Sequence, residues 1–80
     1  MAVLAKLNKM VVRVNGDDHL PPHFNIIAAD FEALVRIADL GVERGTLPSK
    51  AARIVVPWVE ANRLLIVAEW NRLNPRFPIV

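Results

Sequence analysis

The stretch from Asp17 to Asn25, DDHLPPHFN, gathers the side chains of this sequence that are best suited to chemistry. It places Asp17, Asp18, His19 and His23 around a double proline, and the chain contains no other histidine. Carboxylates and imidazoles can bind zinc, nickel, iron or manganese. Imidazole also exchanges protons near neutral pH, which suits it to general acid and base catalysis.

Three interpretations of this stretch follow. In the first, Asp17 and Asp18 cap a turn, the prolines set the entry to an edge strand, and His23 hydrogen-bonds to a neighbour. In the second, the stretch binds a metal, although the histidines are four residues apart across a turn and not along a helix, where that spacing would align them. In the third, His19 and His23 act as general acid and base. We favour the first and predict no metal and no cofactor.

Two polar residues outside this stretch are further candidates. Asn62 falls on the apolar face of a predicted helix, between Trp58 and Ile66. A buried amide has to be paired, so Asn62 either satisfies a strand-edge backbone group or a loop carbonyl, or it faces the histidine turn across a shared cleft. If the turn is catalytic, Arg36 or Arg63 is the candidate to hold a phosphate. The predicted binding residues are Asp17, Asp18, Asn25, Asn62 and Arg63.

The first half of the chain shows the period of two that is typical of strands. Residues 2–7 and 10–15 flank a turn at Asn8 and Lys9 and predict a hairpin, and the segments HFNIIAA and FEALVRI predict a second pair joined around Asp30. In the last of these strands one face carries Phe31, Ala33, Val35 and Ile37, and the other carries Glu32, Leu34 and Arg36. We therefore expect a small N-terminal antiparallel sheet of three to four strands.

From Thr46 onward the period becomes helical. Thr46 can cap the helix and Pro48 suits its first turn. Apolar residues then recur at three- and four-residue spacing: Ile54, Val55, Trp58, Val59, Leu65, Ile66, Trp70 and Leu73. Pro57 cannot donate a helical hydrogen bond, which costs roughly 3 kcal/mol, so we expect a kink or break near Val56. The tail NPRFPIV should run extended along the surface or reach a neighbouring subunit.

Length and composition limit the classes of protein to which this chain can belong. The 80 residues predict one α+β domain over residues 1–80, and without cysteine no disulfide can stabilise it. A hydrophobic fraction of 54% leaves surplus apolar surface, which predicts a homo-oligomer or a small partner protein. The net charge of +2 is scattered and does not decide nucleic-acid binding. No apolar run approaches the roughly 20 residues of a membrane span, and the N-terminal lysines argue against a signal peptide, so we expect a cytoplasmic protein.

Four segments, in order, resemble a known family. They are DDHLPPHFN, DFEALVRI, GTLPSKAARIVVPWVEANR and EWNRL, and together they run from about Val11 to Leu73. This pattern is similar to the small bacterial family catalogued as domain of unknown function 4160. The resemblance implies an α+β domain with a few antiparallel strands and a C-terminal helical segment. It also implies a small partner protein, in a toxin-antitoxin or regulatory pair.

The sequence departs from that family at three positions. Members typically carry histidine at the positions matched here by Asn25 and Asn62, so only His19 and His23 carry over. Amides are poor ligands for transition metals, which weakens the metal interpretation. Pro57 stands where relatives usually have a helix-favouring residue, which again argues against a straight helix.

Two functions from different classes follow from these observations. The surplus apolar surface and the incomplete histidine set favour a protein-interaction or regulatory module over an enzyme. The alternative is a small ribonuclease-like hydrolase that uses His19 and His23 as acid and base.

Overall fold

A computed structural model describes residues 2–16 and 20–79 of the chain, and it has an antiparallel sheet followed by two helices. The strands are β1 (Ala2–Leu7), β2 (Met10–Val14), β3 (His23–Ile27), β4 (Glu32–Arg36) and β5 (Val42–Gly45). The helices are α1 (Ser49–Ala61) and α2 (Arg63–Leu73). The strands lie side by side in sequence order, so each pairs with the next through a short connection. The expected α+β class is confirmed.

The sheet has five strands where three to four were expected, and the additional strand is β5. Its sequence, VERG, is exposed at all four positions, so it lacks the apolar and polar alternation that reveals a strand. Gly45 ends the strand with a φ of +81°, and a Cβ there would lie 2.1 Å from the carbonyl oxygen of Glu32. Only glycine fits this end of the strand.

The core lies between the helices and one face of the sheet, which we call the first face. Partnered residues of antiparallel strands share a face, so alternation along β2, β3 and β4 builds this surface. The buried apolar residues on it include Val12, Val14, Phe24, Ile26, Ala33 and Val35, and the helices add Ala51, Val55, Val59, Ile66 and Trp70. Burial of each larger side chain contributes about 1.5 to 3 kcal/mol.

The opposite side of the sheet, the second face, carries the alternate residues of the same strands. Its members include Val11, Arg13, Asn25, Ile27 and Leu34, all partly buried. Both helices pack on the first face, so no described helix covers the second.

The helices begin and break at other residues than expected. Thr46 does not cap α1, because its N–H donates to the Glu32 carbonyl at 2.9 Å and keeps it with the sheet. The N-cap position is Pro48, without a side-chain cap. A kink or break was expected near Val56. Pro57 lies inside α1, which continues to Ala61, and the break in the helical segment comes at Asn62. Pro57 is exposed, so water can solvate the helical carbonyl that lacks a donor.

The interruption at Asn62 also changes which helix residues are buried. There the backbone N–H and the side-chain Nδ2 both donate to the Trp58 carbonyl, at 3.0 and 2.8 Å. Beyond this point the buried side chains are Ile66 and Trp70. Leu65 and Ile54 were both expected on the buried stripe, but their side chains are 46% and 37% exposed.

The C-terminal tail, which was expected to run extended along the surface or to reach a neighbouring subunit, turns after Asn74 and folds back on α2. Trp70 Nε1 donates to the Phe77 carbonyl at 2.8 Å. Asn71 exchanges two hydrogen bonds with Ile79, at 3.0 and 2.7 Å. Neither described helix is long and apolar enough to cross a membrane.

Candidate functional site

His23, at the start of β3, is enclosed by the protein. It is 1% exposed, and its Nδ1 lies 2.8 Å from the Pro21 carbonyl oxygen. Because a carbonyl can only accept a hydrogen bond, Nδ1 carries the hydrogen. The ring packs against Trp70 with centroids 5.4 Å apart and planes tilted by 57°. The Leu20–Pro21 peptide bond is cis. This geometry agrees with the interpretation in which His23 hydrogen-bonds to a neighbour. The expected entry to an edge strand is wrong, because β3 is the central strand of the five and pairs on both sides.

The surroundings of His23 tie the sheet to α2. The Ile37 N–H donates to the Pro22 carbonyl at 3.0 Å, which continues the pairing of β3 and β4. The Ile37 carbonyl in turn accepts from Arg63 Nη1 at 2.5 Å. Arg63, a predicted binding residue, thus joins the start of α2 to the end of β4.

Asn74, just beyond α2, fastens the other end of this helix. It is 2% exposed, and its Nδ2 donates to the carbonyls of Asn15, at 2.9 Å, and Trp70, at 3.2 Å. The contact with Asn15 holds the end of α2 beside the chain that leaves β2. Three hydrogen bonds therefore surround the buried corner around His23 and Trp70. They join His23 to Pro21, Arg63 to Ile37 and Asn74 to Asn15.

The predicted site residues do not share one cavity in the described part of the chain. The Asn62 amide is used at the junction of α1 and α2, where it donates to Trp58. Asn25 lies on the second face, opposite Arg13 on β2 and Leu34 on β4. Asp17, Asp18 and His19 lie outside the described residues.

Within residues 2–16 and 20–79, no three histidine, aspartate or glutamate side chains come together in a way that could hold a metal ion. Arg36, one candidate to hold a phosphate, forms ion pairs with Asp39, at 2.9 Å, and with Glu43. The hydrogen bond from Arg36 lowers the pKa of Asp39, with a smaller contribution from the Gly41 N–H. Both guanidinium groups considered for a phosphate, Arg36 and Arg63, are thus already engaged.

A row of residues across the second face was missed by sequence reasoning. Strand pairing aligns Val3, Arg13, Asn25, Leu34 and Arg44, in that order, over all five strands. The Nε of Arg13 and the Nδ2 of Asn25 are buried without a hydrogen-bond partner. A shallow cavity of about 340 Å³ lies beside Asn25, Leu34 and Arg44. Only the strand register reveals this row, because its members are far apart in the sequence.

The helices also expose apolar residues at regular spacing. We call this set the apolar seam: Ile54, Pro57, Ala61, Leu64, Leu65 and Ala68, all exposed. Leu64 is the most exposed large apolar side chain of the described residues, at 85%. A groove of about 690 Å³ lined by Met10, Phe31, Ala51 and Ile54 adjoins the seam at Ile54. The sequence pattern placed two of these residues, Ile54 and Leu65, on the buried stripe, and it did not indicate the other four as a surface.

One family model matches the chain, and it covers residues 10–71. No curated protein and no solved structure matches the chain. The matched segment runs from the start of β2 into α2, and it includes His23, the row on the second face except Val3, and the apolar seam. Because the match spans most of the sequence, the chain belongs to the family described as domain of unknown function (DUF4160).

Proposed function

We propose that this protein is a protein-interaction module that self-associates through the apolar seam. It works with a small partner protein as a regulatory pair, of the toxin-antitoxin kind, in the bacterial cytoplasm. The observation that carries this proposal is the seam itself, in which six apolar residues on two helices are exposed while both helices already bury another face in the core.

The spacing of the seam suits pairing with another helix. Ile54, Pro57 and Ala61 follow one another at three and four residues on α1, and Leu64 and Ala68 are four apart on α2, on the other side of the interruption at Asn62. Side chains at this spacing form the ridge that interlocks with a facing helix. Covering a leucine as exposed as Leu64 would contribute about 1.5 to 3 kcal/mol to association.

A second copy of the chain is the occupant that the seam fits best. None of its six residues is charged, so two seams can meet around a twofold axis without bringing like charges together. The adjoining groove at Ile54 extends the apolar surface toward Met10 and Phe31. The Glu69 and Arg72 side chains, which lie farther along α2, neutralise each other in an ion pair at 2.8 Å.

Sedimentation velocity across the micromolar range tests this proposal. The wild-type chain should sediment as an oligomer, and Leu64→Glu combined with Leu65→Glu should shift it to monomer by weakening association at least about tenfold, or 1.4 kcal/mol. Both side chains are exposed, so circular dichroism should show an unchanged fold. Phe77→Glu, which alters a 40% exposed side chain outside the seam, is the control and should leave the oligomer intact. A wild-type chain that stays monomeric throughout would refute self-association.

The ribonuclease-like alternative draws less support from the described residues. His23 is buried, its Nδ1 donates to Pro21, and its ring packs on Trp70. A substrate in solution cannot reach such an imidazole without opening the corner. RNA cleavage by the purified wild-type chain that disappears in the His19→Ala, His23→Gln variant, with the fold retained, would favour the hydrolase instead.

A further inference from the structure

We propose that the second face of the sheet binds an acidic segment of a partner protein. This inference rests on the proposed function and extends it, because it gives the chemistry of the small partner protein.

Cationic side chains surround an apolar centre on the second face. Strand pairing places Lys6 beside Val11, and in the aligned row it places Arg13 and Arg44 on either side of Asn25 and Leu34. The apolar centre consists of Val11, Ile27 and Leu34, all partly buried. Neither Arg13 nor Arg44 forms an ion pair within the described part of the chain. The face can therefore accept both apolar side chains and carboxylates.

One carboxylate lies on this face itself. Glu32 pairs with Ile27, is exposed, and lines the same cavity as Leu34 and Arg44, but it forms no ion pair with Arg44. Glu43 and Asp39 are held by Arg36. Against Glu32 stand Lys6, Arg13 and Arg44, so the face keeps a net positive charge for a partner.

Two buried hydrogen-bond donors in the row point to the same kind of partner. Arg13 Nε and Asn25 Nδ2 sit on directly paired residues, and neither has an acceptor. A buried donor without an acceptor costs about 1 to 3 kcal/mol. When the long Arg13 side chain swings away from the sheet, a carboxylate can accept from both atoms and remove this cost.

A second copy and a nucleic acid are less suitable occupants. A twofold axis on this face would bring two cationic faces together, and Lys6, Arg13 and Arg44 of the two copies would repel one another. Single-stranded nucleic acid on an open sheet is held largely by stacking of bases on aromatic rings. The five aromatic residues of the chain are Phe24, Phe31, Trp58, Trp70 and Phe77, and none lies in the aligned row.

The test measures fluorescence anisotropy of three labelled probes with the full chain. The first probe is a short peptide of alternating glutamate and leucine, the second has lysine in place of glutamate, and the third is an oligouridine. We expect the acidic peptide to bind most tightly. Arg13→Gln with Arg44→Gln should weaken its binding about tenfold. The matched control is Arg53→Gln with Arg76→Gln, which removes the same charge from exposed positions on α1 and in the tail, and should change binding less than about twofold.

Three results would overturn the inference. Equal weakening by both variant pairs would mean that the acidic peptide responds only to net charge. Tighter binding of the oligouridine would make the face a nucleic-acid surface, and absence of acidic-peptide binding would leave the face without this role.

Sedimentation of the Arg13→Gln, Arg44→Gln variant distinguishes this inference from the proposed self-association, because the oligomer of this variant should persist. An intact oligomer without peptide binding would refute only this inference, and loss of self-association in the wild-type chain would refute the proposed function.

Discussion

The imidazole of His23 is held on two sides, by the Pro21 carbonyl at 2.8 Å and by the ring of Trp70. Trp70 is itself fixed by its hydrogen bond to Phe77, so the contact links β3, α2 and the tail. These three elements come from distant parts of the sequence. The role of His23 in the corner therefore depends on packing that spacing within DDHLPPHFN does not reveal.

A structural role for His23 predicts a stability effect. His23→Ala removes the hydrogen bond to Pro21 and leaves a void against Trp70, so it should lower the free energy of unfolding by about 2 to 4 kcal/mol. His23→Phe keeps a ring against Trp70 but loses the hydrogen bond, and it should lie between the alanine variant and the wild type. Urea unfolding followed by tryptophan fluorescence gives both values. Wild-type stability in the alanine variant would contradict this role.

At the scale of elements, the sequence predicts most clearly the segments whose alternation is enforced by the core. Strands β2, β3 and β4 bury every second residue on the first face, and both predicted hairpins are present. Strand β5 has no buried side chain to give such a pattern. The pairing of Arg13 with Asn25 could not be predicted either, because it depends on strand register. The helix start at Ser49 follows from a tertiary hydrogen bond between Thr46 and Glu32.

Pro57 and Asn62 show which local effect decides where the helix is interrupted. The lost donor at Pro57 leaves α1 continuous, whereas at Asn62 the side chain and the backbone share the Trp58 carbonyl and the helix ends. An amide that hydrogen-bonds to nearby backbone competes with the helix, as is general for asparagine.

Replacing the proline tests this account of α1. Pro57→Ala restores a backbone donor and a residue of high helix propensity in an exposed position, so it should raise the free energy of unfolding by about 2 kcal/mol. The gain is smaller than the full proline penalty because proline also restricts the unfolded chain. Thermal unfolding by circular dichroism measures the change, with Arg53→Ala on the same helix as control. A lower midpoint for Pro57→Ala would mean that the native conformation at this position requires proline.

At the scale of the whole molecule, two uncovered surfaces lie on separate layers. The apolar seam belongs to the helices, and the cationic second face belongs to the sheet, with the core between them. Their chemistry differs, since the seam is uncharged and the second face carries Lys6, Arg13 and Arg44. The two proposed partners, a second copy and an acidic segment, would therefore not compete for one surface.

The most direct test of self-association uses single cysteines, since the chain has none of its own. Ala61→Cys places a thiol within the seam, and Glu43→Cys places one on β5. Each variant is treated with a short bis-maleimide at micromolar concentration and resolved by denaturing electrophoresis. If two chains pair through their seams, Ala61→Cys gives a cross-linked dimer and Glu43→Cys stays monomeric. A cross-linked Glu43→Cys beside a monomeric Ala61→Cys, or two monomers, would contradict the proposed interface.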